Sequence, residues 1–128
     1  MPAYSDIKVG DIAEKSMDVT EEVVRGFAAI SGDYNPVHLD ESYATTTVFG
    51  HRVAHGIISM ALISSIFGTI LPGEGTIYLS QTITFHKPIF LNERVTGKVE
   101  VKDKNNRSKK IRFLTHVYKA DGHIALSG

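Results

Sequence analysis

The chain has 128 residues, of which 42% are hydrophobic and 22% are charged, a size and composition typical of one globular domain with a real core. Lysine plus arginine and aspartate plus glutamate balance at 14 each, so no net charge draws the protein toward nucleic acid or anionic lipid. Cysteine is missing from the sequence, which excludes disulfides, thiolate catalysis and zinc–thiolate sites.

Signals for export or membrane insertion are weak. Residues 1–6 lack the basic and apolar regions of a signal peptide. The longest apolar stretch, Ile57–Leu71, is short for a membrane span and is interrupted by serines and a threonine. We therefore expect one domain over residues 1–128, in a soluble cytoplasmic protein with no membrane or nucleic-acid partner.

The first predicted elements along the chain are an edge strand and a helix. Residues 7–9 and 17–19 carry the apolar side chains of the candidate edge strand. The helix is predicted from Thr20 to Ser31, because Thr20 suits the N-cap, two glutamates follow it at the positive end of the helix dipole, and Gly32 suits the C-terminal stop. Its apolar stripe consists of Val23, Val24, Phe27, Ala28 and Ile30.

The next ten residues, SGDYNPVHLD (Ser31–Asp40), surround an Asn-Pro with ionisable side chains. Pro36 fixes its own φ and disfavours a helical Asn35, so the chain must bend here. On a straight element Asp33 and His38 would point to different faces, but across a bend they can converge. A carboxylate and an imidazole that reach one water make an acid–base pair. The alternative is an ordinary turn, in which Asp33 caps a short helix and His38 is solvated.

A second helix is predicted from His55 or Gly56 to Leu71, where Pro72-Gly73 ends it. Nearly all of its positions are apolar, so it has almost no polar face. A helix of this kind must be surrounded by protein or lipid, and its length of roughly 24 Å suits the interior of a domain. The helix is therefore expected to be the centre of the core.

The start of this helix is a candidate binding position. First-turn N–H groups lack intrahelical partners, and Gly56 has no side chain to keep a ligand oxygen away from its own N–H. The alternative is that Gly56 is a tolerated cap and His55 a loop residue. Ser64, two turns further on, is a candidate active-site hydroxyl, although most helical serines only bond the preceding turn.

After Gly75 the periodicity changes from helical to two, which predicts antiparallel strands with one buried face each. Asp121-Gly122 is typical of a two-residue hairpin turn leading into a short last strand. The basic run Lys102–Lys110 is predicted to be a solvated hairpin tip, with a phosphate contact as the alternative. The alternating apolar residues are Ile77, Leu79, Ile83 and Phe85, then Val95, Val99 and Val101, then Ile111, Phe113, Thr115 and Val117.

One arrangement buries the apolar surfaces of both the antiparallel sheet and the helix that is apolar all round. The sheet buries its apolar face by curling around the helix, and the helix is thereby covered on most sides. This arrangement is the α+β architecture called the hotdog fold, which we expect here.

Three stretches of the sequence resemble the MaoC-like (R)-specific enoyl-CoA hydratases. FAAISGDYNPVH (Phe27–His38) resembles their hydratase motif, AHGIISMALISSIFG (Ala54–Gly68) their central hotdog helix, and LPGEGTIYLSQTITFHKPIF (Leu71–Phe90) the strand pair that follows. The resemblance runs collinearly from about Ile7 to Gly128. Two apolar departures stand out and affect the acyl pocket rather than the chemistry: Val37 where Leu or Ile is usual, and Ile57 where Met is frequent.

The resemblance implies roles for specific residues. Asp33 and His38 would be the catalytic pair that holds one water, one removing its proton while the other protonates C2. Gly56, at the helix start, would bind the thioester oxygen, and Ser64 would contribute to the active site. His55, beside Gly56, is a further candidate for substrate binding. The implied reaction is reversible syn hydration of a trans-2-enoyl thioester, carried on coenzyme A or on an acyl-carrier protein, by a homodimer.

The resemblance implies no cofactor and no metal. His38, His51 and His55 could in principle bind a metal together with Asp33 or Asp40, but their spacings match no helical two-turn ligand pair. Two other functions keep the same fold. One is hydrolysis of the thioester, and the other is a module that binds an acyl thioester without catalysis.

Overall fold

A computed structural model describes residues 4–128, so the predicted lack of a signal peptide over residues 1–6 lies partly outside the described residues. A short 3-10 turn at Tyr4–Asp6 comes first. The elements that follow are β1 (Ile12–Val19), α1 (Glu21–Ser31), α2 (Pro36–Leu39), α3 (Glu41–Ala44), α4 (Ile58–Thr69), β2 (Thr84–Phe85), β3 (Glu93–Asn105), β4 (Lys110–Tyr118) and β5 (Ile124–Ser127).

All the paired strands of the described chain run antiparallel in one sheet, in the order β1-β3-β4-β5-β2. The long β3 lies between β1 and β4 and carries an irregularity between Val101 and Asp103. Alternate residues of β3 are buried, as the period of two predicted. The β4–β5 turn has Gly122 at a φ of 87°, a left-handed conformation that favours glycine and fits the predicted hairpin.

The core lies between this sheet and α4. The helix contacts β1, β3 and β4, and a Cβ atom at Gly97 of β3 would come within 3.1 Å of the Leu62 and Ile66 side chains. The absence of a side chain at this position therefore lets the helix approach the sheet closely. The sheet and the buried central helix form the α+β hotdog arrangement predicted from the sequence. The residues of α4 that are buried are Ile58, Ser59, Leu62, Ile63, Ile66 and Phe67.

The capping signals of α1 are confirmed in detail. The Thr20 side chain accepts a hydrogen bond from the Val23 N–H, and Gly32 adopts a left-handed conformation with a φ of 76°. The central helix is shorter than predicted, because residues 56–57 form a turn before α4 begins at Ile58. Among the described helices, none is long and apolar enough to cross a membrane.

Two predicted strand segments are wrong. Residues 7–9 precede β1 as a loop, although Ile7 is buried in the core. The expected strand from Ile77 to Phe85 is reduced to Thr84–Phe85, which pair with β5, and residues 77–83 form no ladder with any part of the chain that the structure describes. Ile77 and Leu79 are 78% and 67% exposed, so the alternating pattern is present without a surface of the same chain to cover it.

Candidate active site

The segment between α1 and α2 is bent by a series of local hydrogen bonds. The Gly32 N–H donates to the Ala28 carbonyl and closes α1. The Asn35 N–H then donates to Asp33 Oδ1 at 3.2 Å, and the Val37 N–H donates to Asn35 Oδ1 at 3.2 Å. Asn35 is therefore the N-cap of α2, and Asp33 holds the turn before it. Only one carboxylate oxygen of Asp33 is used in this way.

The other carboxylate oxygen faces His38. Asp33 Oδ2 lies 4.0 Å from His38 Nε2, and the side chains are 49% and 12% exposed, respectively. His38 Nδ1 lies 2.7 Å from the Val53 carbonyl oxygen. Because a carbonyl only accepts, Nδ1 carries the proton, and a neutral ring presents its lone pair at Nε2 toward Asp33. The bend thus brings the two side chains close enough to hold one small molecule between them.

Burial lowers the pKa of His38 below its ordinary value of 6.5. The hydrogen bond to the Val53 carbonyl opposes this shift, His55 adds to it, and the negative charge of Asp33 opposes it with the smallest effect. Desolvation is the largest of these causes, so the neutral form of His38 is favoured at neutral pH. A neutral imidazole with a free Nε2 can accept a proton.

His55 contacts both members of the pair. It is buried, and its Nε2 lies 2.9 Å from the Asp33 carbonyl oxygen, to which it donates. Its ring packs against His38, with ring centroids 3.9 Å apart, and against Phe27 at 4.7 Å. The structure therefore places His55 where it fixes the main chain of Asp33. His55 is not among the residues that line the cavity at the N-terminal end of α4.

A cavity of about 330 Å³ lies at the N-terminal end of α4. His38 and Gly56 are among its lining residues. A Cβ at Gly56 would lie 2.9 Å from the ring of Phe85, so the ring leaves no room for a side chain there. In the described chain no side chain caps α4, and the positive end of the helix dipole faces this region. An oxygen with partial negative charge is the group that such an end stabilises.

The structure does not bring Ser64 to this cavity. Ser64 lies on the exposed side of α4, whereas Ser59 lines the cavity and is 1% exposed. Ser65 makes the local bond that is usual for helical serines, donating to the Leu62 carbonyl at 2.8 Å. Sequence reasoning missed Ser59, and the signal that could have found it is its position at the start of the apolar helix, three residues after Gly56.

Asp33, His38 and His55 place possible metal-ligand atoms within 4.8 Å of one another. One nitrogen of each imidazole is already bonded to a main-chain carbonyl. His38 Nε2, His55 Nδ1 and the carboxylate are the donors that a metal ion would have to use. His51 is engaged elsewhere, with its Nδ1 3.1 Å from Glu41 Oε2. The expectation of a metal-free site stays a prediction.

Comparison with known proteins shows consistent similarities. Residues 7–122 match the family described as "MaoC like domain". The chain is 38% identical over 125 residues to the "(R)-specific enoyl-CoA hydratase" of Rhodospirillum rubrum, covering 98% of this chain and 86% of that protein. It is 44% identical over 98 residues to the "3-hydroxybutyryl-CoA dehydratase" of Methylorubrum extorquens, a match that covers 77% of this chain but only 62% of that relative.

A solved structure extends this similarity to three dimensions. The unliganded "R-Hydratase PhaJ1" of Pseudomonas aeruginosa superposes with a TM-score of 0.93 at 43% identity. The match covers 98% of this chain and 80% of that one. Sequence and structure comparisons therefore agree over nearly the whole length of the chain.

Proposed function

This chain belongs to the MaoC-like domain family, and on that premise we propose that it is an (R)-specific enoyl-CoA hydratase. It would be a hydro-lyase that adds water reversibly to a trans-2-enoyl thioester and forms the (R)-3-hydroxyacyl thioester by syn addition. The observation that carries the proposal is the facing pair Asp33 and His38, with His38 on the same cavity as the N-terminal end of α4. The expected location is the cytoplasm.

In this mechanism His38 accepts the proton of the water. Its Nδ1 proton is held by the Val53 carbonyl, so the lone pair is at Nε2, the atom that faces Asp33. Burial keeps the ring neutral by lowering its pKa. The water oxygen attacks C3 as its proton moves to Nε2. A general base of this kind contributes about a hundredfold to ten-thousandfold to the rate.

Asp33 holds the same water from the other side. Its Oδ2 accepts the second hydrogen of the water, and its charge favours the imidazolium that forms 4.0 Å away. The imidazolium then delivers the proton to C2 on the face from which the water attacked. One proton leaves water and one arrives at C2, so the reaction balances, and both additions occur on one face.

Gly56 would bind the thioester oxygen. Negative charge develops on this oxygen as C3 is attacked, and the Gly56 N–H, in the turn that leads into α4, would be the donor for it. The Phe85 ring occupies the space that a Cβ atom at Gly56 would need, so this position has to be glycine. Losing one donor of this kind typically raises the barrier by about 3 kcal/mol.

The carrier and the assembly are parts of the proposal. We propose coenzyme A as the carrier of the acyl group, with acyl-carrier protein as the alternative. We also propose a homodimer, because a second copy would cover the apolar side chains exposed along residues 77–85 and join two sheet edges. Ser64, exposed on α4 of a single chain, would reach an active site only with such a partner present.

The proposal is tested by mixing the protein with crotonyl-CoA and following the absorbance of the conjugated thioester, with a thiol reagent in a parallel sample. We expect the absorbance to fall without release of free thiol, and chiral analysis to identify the (R)-3-hydroxy product. Crotonyl-acyl-carrier protein in the same assay compares the two carriers.

The other outcomes identify the alternatives. Release of free thiol would indicate a thioesterase. Binding of crotonyl-CoA without either change would indicate a module that binds acyl thioesters without catalysis. Addition of a chelator should leave the rate unchanged, and loss of activity would contradict the metal-free mechanism.

A further inference from the structure

Ser59 is a buried hydroxyl without a hydrogen-bond partner among the described residues. It is 1% exposed, and its Oγ is shielded from solvent. It also lines the cavity on which His38 and Gly56 lie. Buried hydroxyls in native proteins nearly always have a partner, so one without a partner calls for a ligand or a function.

Other hydroxyls of α4 behave differently. Ser65 donates to the Leu62 carbonyl at 2.8 Å, and Thr69 donates to the Ser65 carbonyl at 2.6 Å. This back-bonding to the preceding turn is the default for a helical hydroxyl. Ser59 has no such bond within the described chain, although it is the most buried of the three. Its hydroxyl is therefore available to a group that enters the cavity.

The position of Ser59 determines which group that is. Ser59 is the second residue of α4, and helical side chains lean toward the N-terminus of their helix. The Ser59 hydroxyl therefore leans toward the turn of Gly56. Most of the other cavity-lining side chains are apolar and offer no donor. The exceptions besides the proposed base are His86, whose Nε2 is already engaged in a hydrogen bond within the chain, and Lys87, which is exposed.

We propose that the Ser59 hydroxyl is a second hydrogen-bond donor to the thioester oxygen, acting together with the Gly56 N–H. The proposal rests on the hydratase function and adds a catalytic residue to it. The hydroxyl keeps its own proton throughout and stabilises the charge that develops on the oxygen. One donor in the turn before α4 and one in the first turn of α4 hold this oxygen in one position, which fixes C3 relative to His38.

The competing acceptor is His55 Nδ1. It is four residues before Ser59, it is also buried, and it has no partner in the described chain. If the Ser59 hydroxyl turned to this nitrogen during catalysis, its role would be structural. The two roles differ in one respect that can be measured, namely whether the hydroxyl touches the thioester.

Ser59→Ala and Ser59→Cys test the rate. Alanine removes the donor, and cysteine keeps a side chain of similar size with a much weaker donor. We expect kcat for crotonyl-CoA to fall about a hundredfold in both variants. Ser65→Ala is the matched control, because it removes a hydroxyl of the same helix that is bonded locally. Its kcat should stay within about twofold of the wild-type value.

A vibrational measurement separates this proposal from the hydratase function itself. Butyryl-CoA labelled with ¹³C at the thioester carbonyl contains no double bond to hydrate, so its binding does not depend on turnover. We expect the carbonyl stretch of the bound thioester to lie at higher wavenumber in Ser59→Ala than in the wild-type protein, because a hydrogen bond has been lost. An unchanged stretch would overturn the proposal, and so would failure of butyryl-CoA to bind the wild-type protein, whatever the hydration assay finds.

Discussion

Two regions of the molecule carry strong sequence patterns, yet only one of them is completed within a single chain. In the Ser31–Asp40 segment, caps and turns from nearby residues fix the geometry that brings Asp33 to His38. In residues 77–83, an equally regular alternation leaves Ile77 and Leu79 exposed. The difference lies in what each pattern requires. A turn needs partners a few residues away, whereas a strand needs another strand and a covered face.

The comparison also separates two kinds of functional requirement. The proposed catalytic pair is supported by bonds that the chain makes to itself, including those from Val53 and His55. The exposed segment has apolar area that residues 4–128 do not cover, and we propose that a second copy covers it. The experiments below test first the completed region, then the incomplete one, and last the electrostatic coupling inside the pair.

The largest effect is expected from removing either member of the pair. Asp33→Asn and His38→Ala should each lower kcat for crotonyl-CoA by at least about a hundredfold, because general acid–base catalysis contributes this much or more. Thermal unfolding should stay cooperative, since Asp33 is half exposed and asparagine can still accept the Asn35 N–H. Steady-state kinetics and a melting curve are the measurements.

A matched control removes an imidazole elsewhere. His123→Ala changes a residue of the exposed β4–β5 turn, where the His123 side chain pairs with Asp121. The kcat of this variant should be unchanged. Near-normal turnover in both Asp33→Asn and His38→Ala would remove the pair from the mechanism and leave the cavity as a binding site.

Much of this fold was predictable because its signals are local. Thr20 and Gly32 delimit α1, and Asp121-Gly122 turns the last hairpin, as the sequence predicted. The convergence of Asp33 and His38 followed from the bend at Pro36. The carbonyl that holds His38 Nδ1 could not be predicted, because Val53 is 15 residues away and is positioned by tertiary packing.

The strand that the single chain does not form and the cavity serine that sequence reasoning missed have one physical cause. An alternating pattern predicts that a face will be buried but does not say what buries it, so residues 77–83 were predicted as a strand that the single chain does not form. In the same way, an apolar helix with several hydroxyls does not reveal which hydroxyl faces the cavity. The structure places Ser59 there and leaves Ser64 exposed, because the sheet determines which side of α4 is covered.

An intermediate effect is expected when the exposed segment is changed. Leu79→Asp should shift the protein from dimer to monomer in sedimentation velocity at micromolar concentration. A dimer of this variant would have to bury a charge in the interface between the two copies. The fold of the protomer should survive, since Leu79 is 67% exposed in a single chain. If the active site needs both copies, kcat should decrease as the fraction of dimer decreases.

The control places the same charge on a similarly exposed apolar residue beyond the opposite edge of the sheet. Val9 is 63% exposed and precedes β1, the edge strand farthest from β2. Val9→Asp should leave the sedimentation coefficient unchanged. A wild-type protein that sediments as a monomer, or a Leu79→Asp variant that remains a dimer, would contradict the assignment of this surface to a second copy.

The smallest effect is a shift of the pH profile, and it tests the coupling between Asp33 and His38 directly. Burial lowers the pKa of His38, so kcat/KM should fall on the acid side with a midpoint below 6.5. The charge of Asp33 partly opposes that shift. In Asp33→Asn the residual activity should therefore show its acid midpoint at a still lower pH.

Glu22→Gln removes the same charge from an exposed position of α1 and should leave the acid midpoint unchanged.

The lowered pKa of His38 also has a consequence for stability. Because the folded pKa of His38 lies below its unfolded value, the unfolded chain binds more protons as the pH falls below about 6.5. The contribution of His38 to the free energy of unfolding is thus complete above that pH and is lost as the pH falls through the folded pKa.

In the pH profile of kcat/KM, an acid midpoint that rises in Asp33→Asn would mean that the carboxylate does not favour the imidazolium. The proposed role of Asp33 beside His38 would then be wrong.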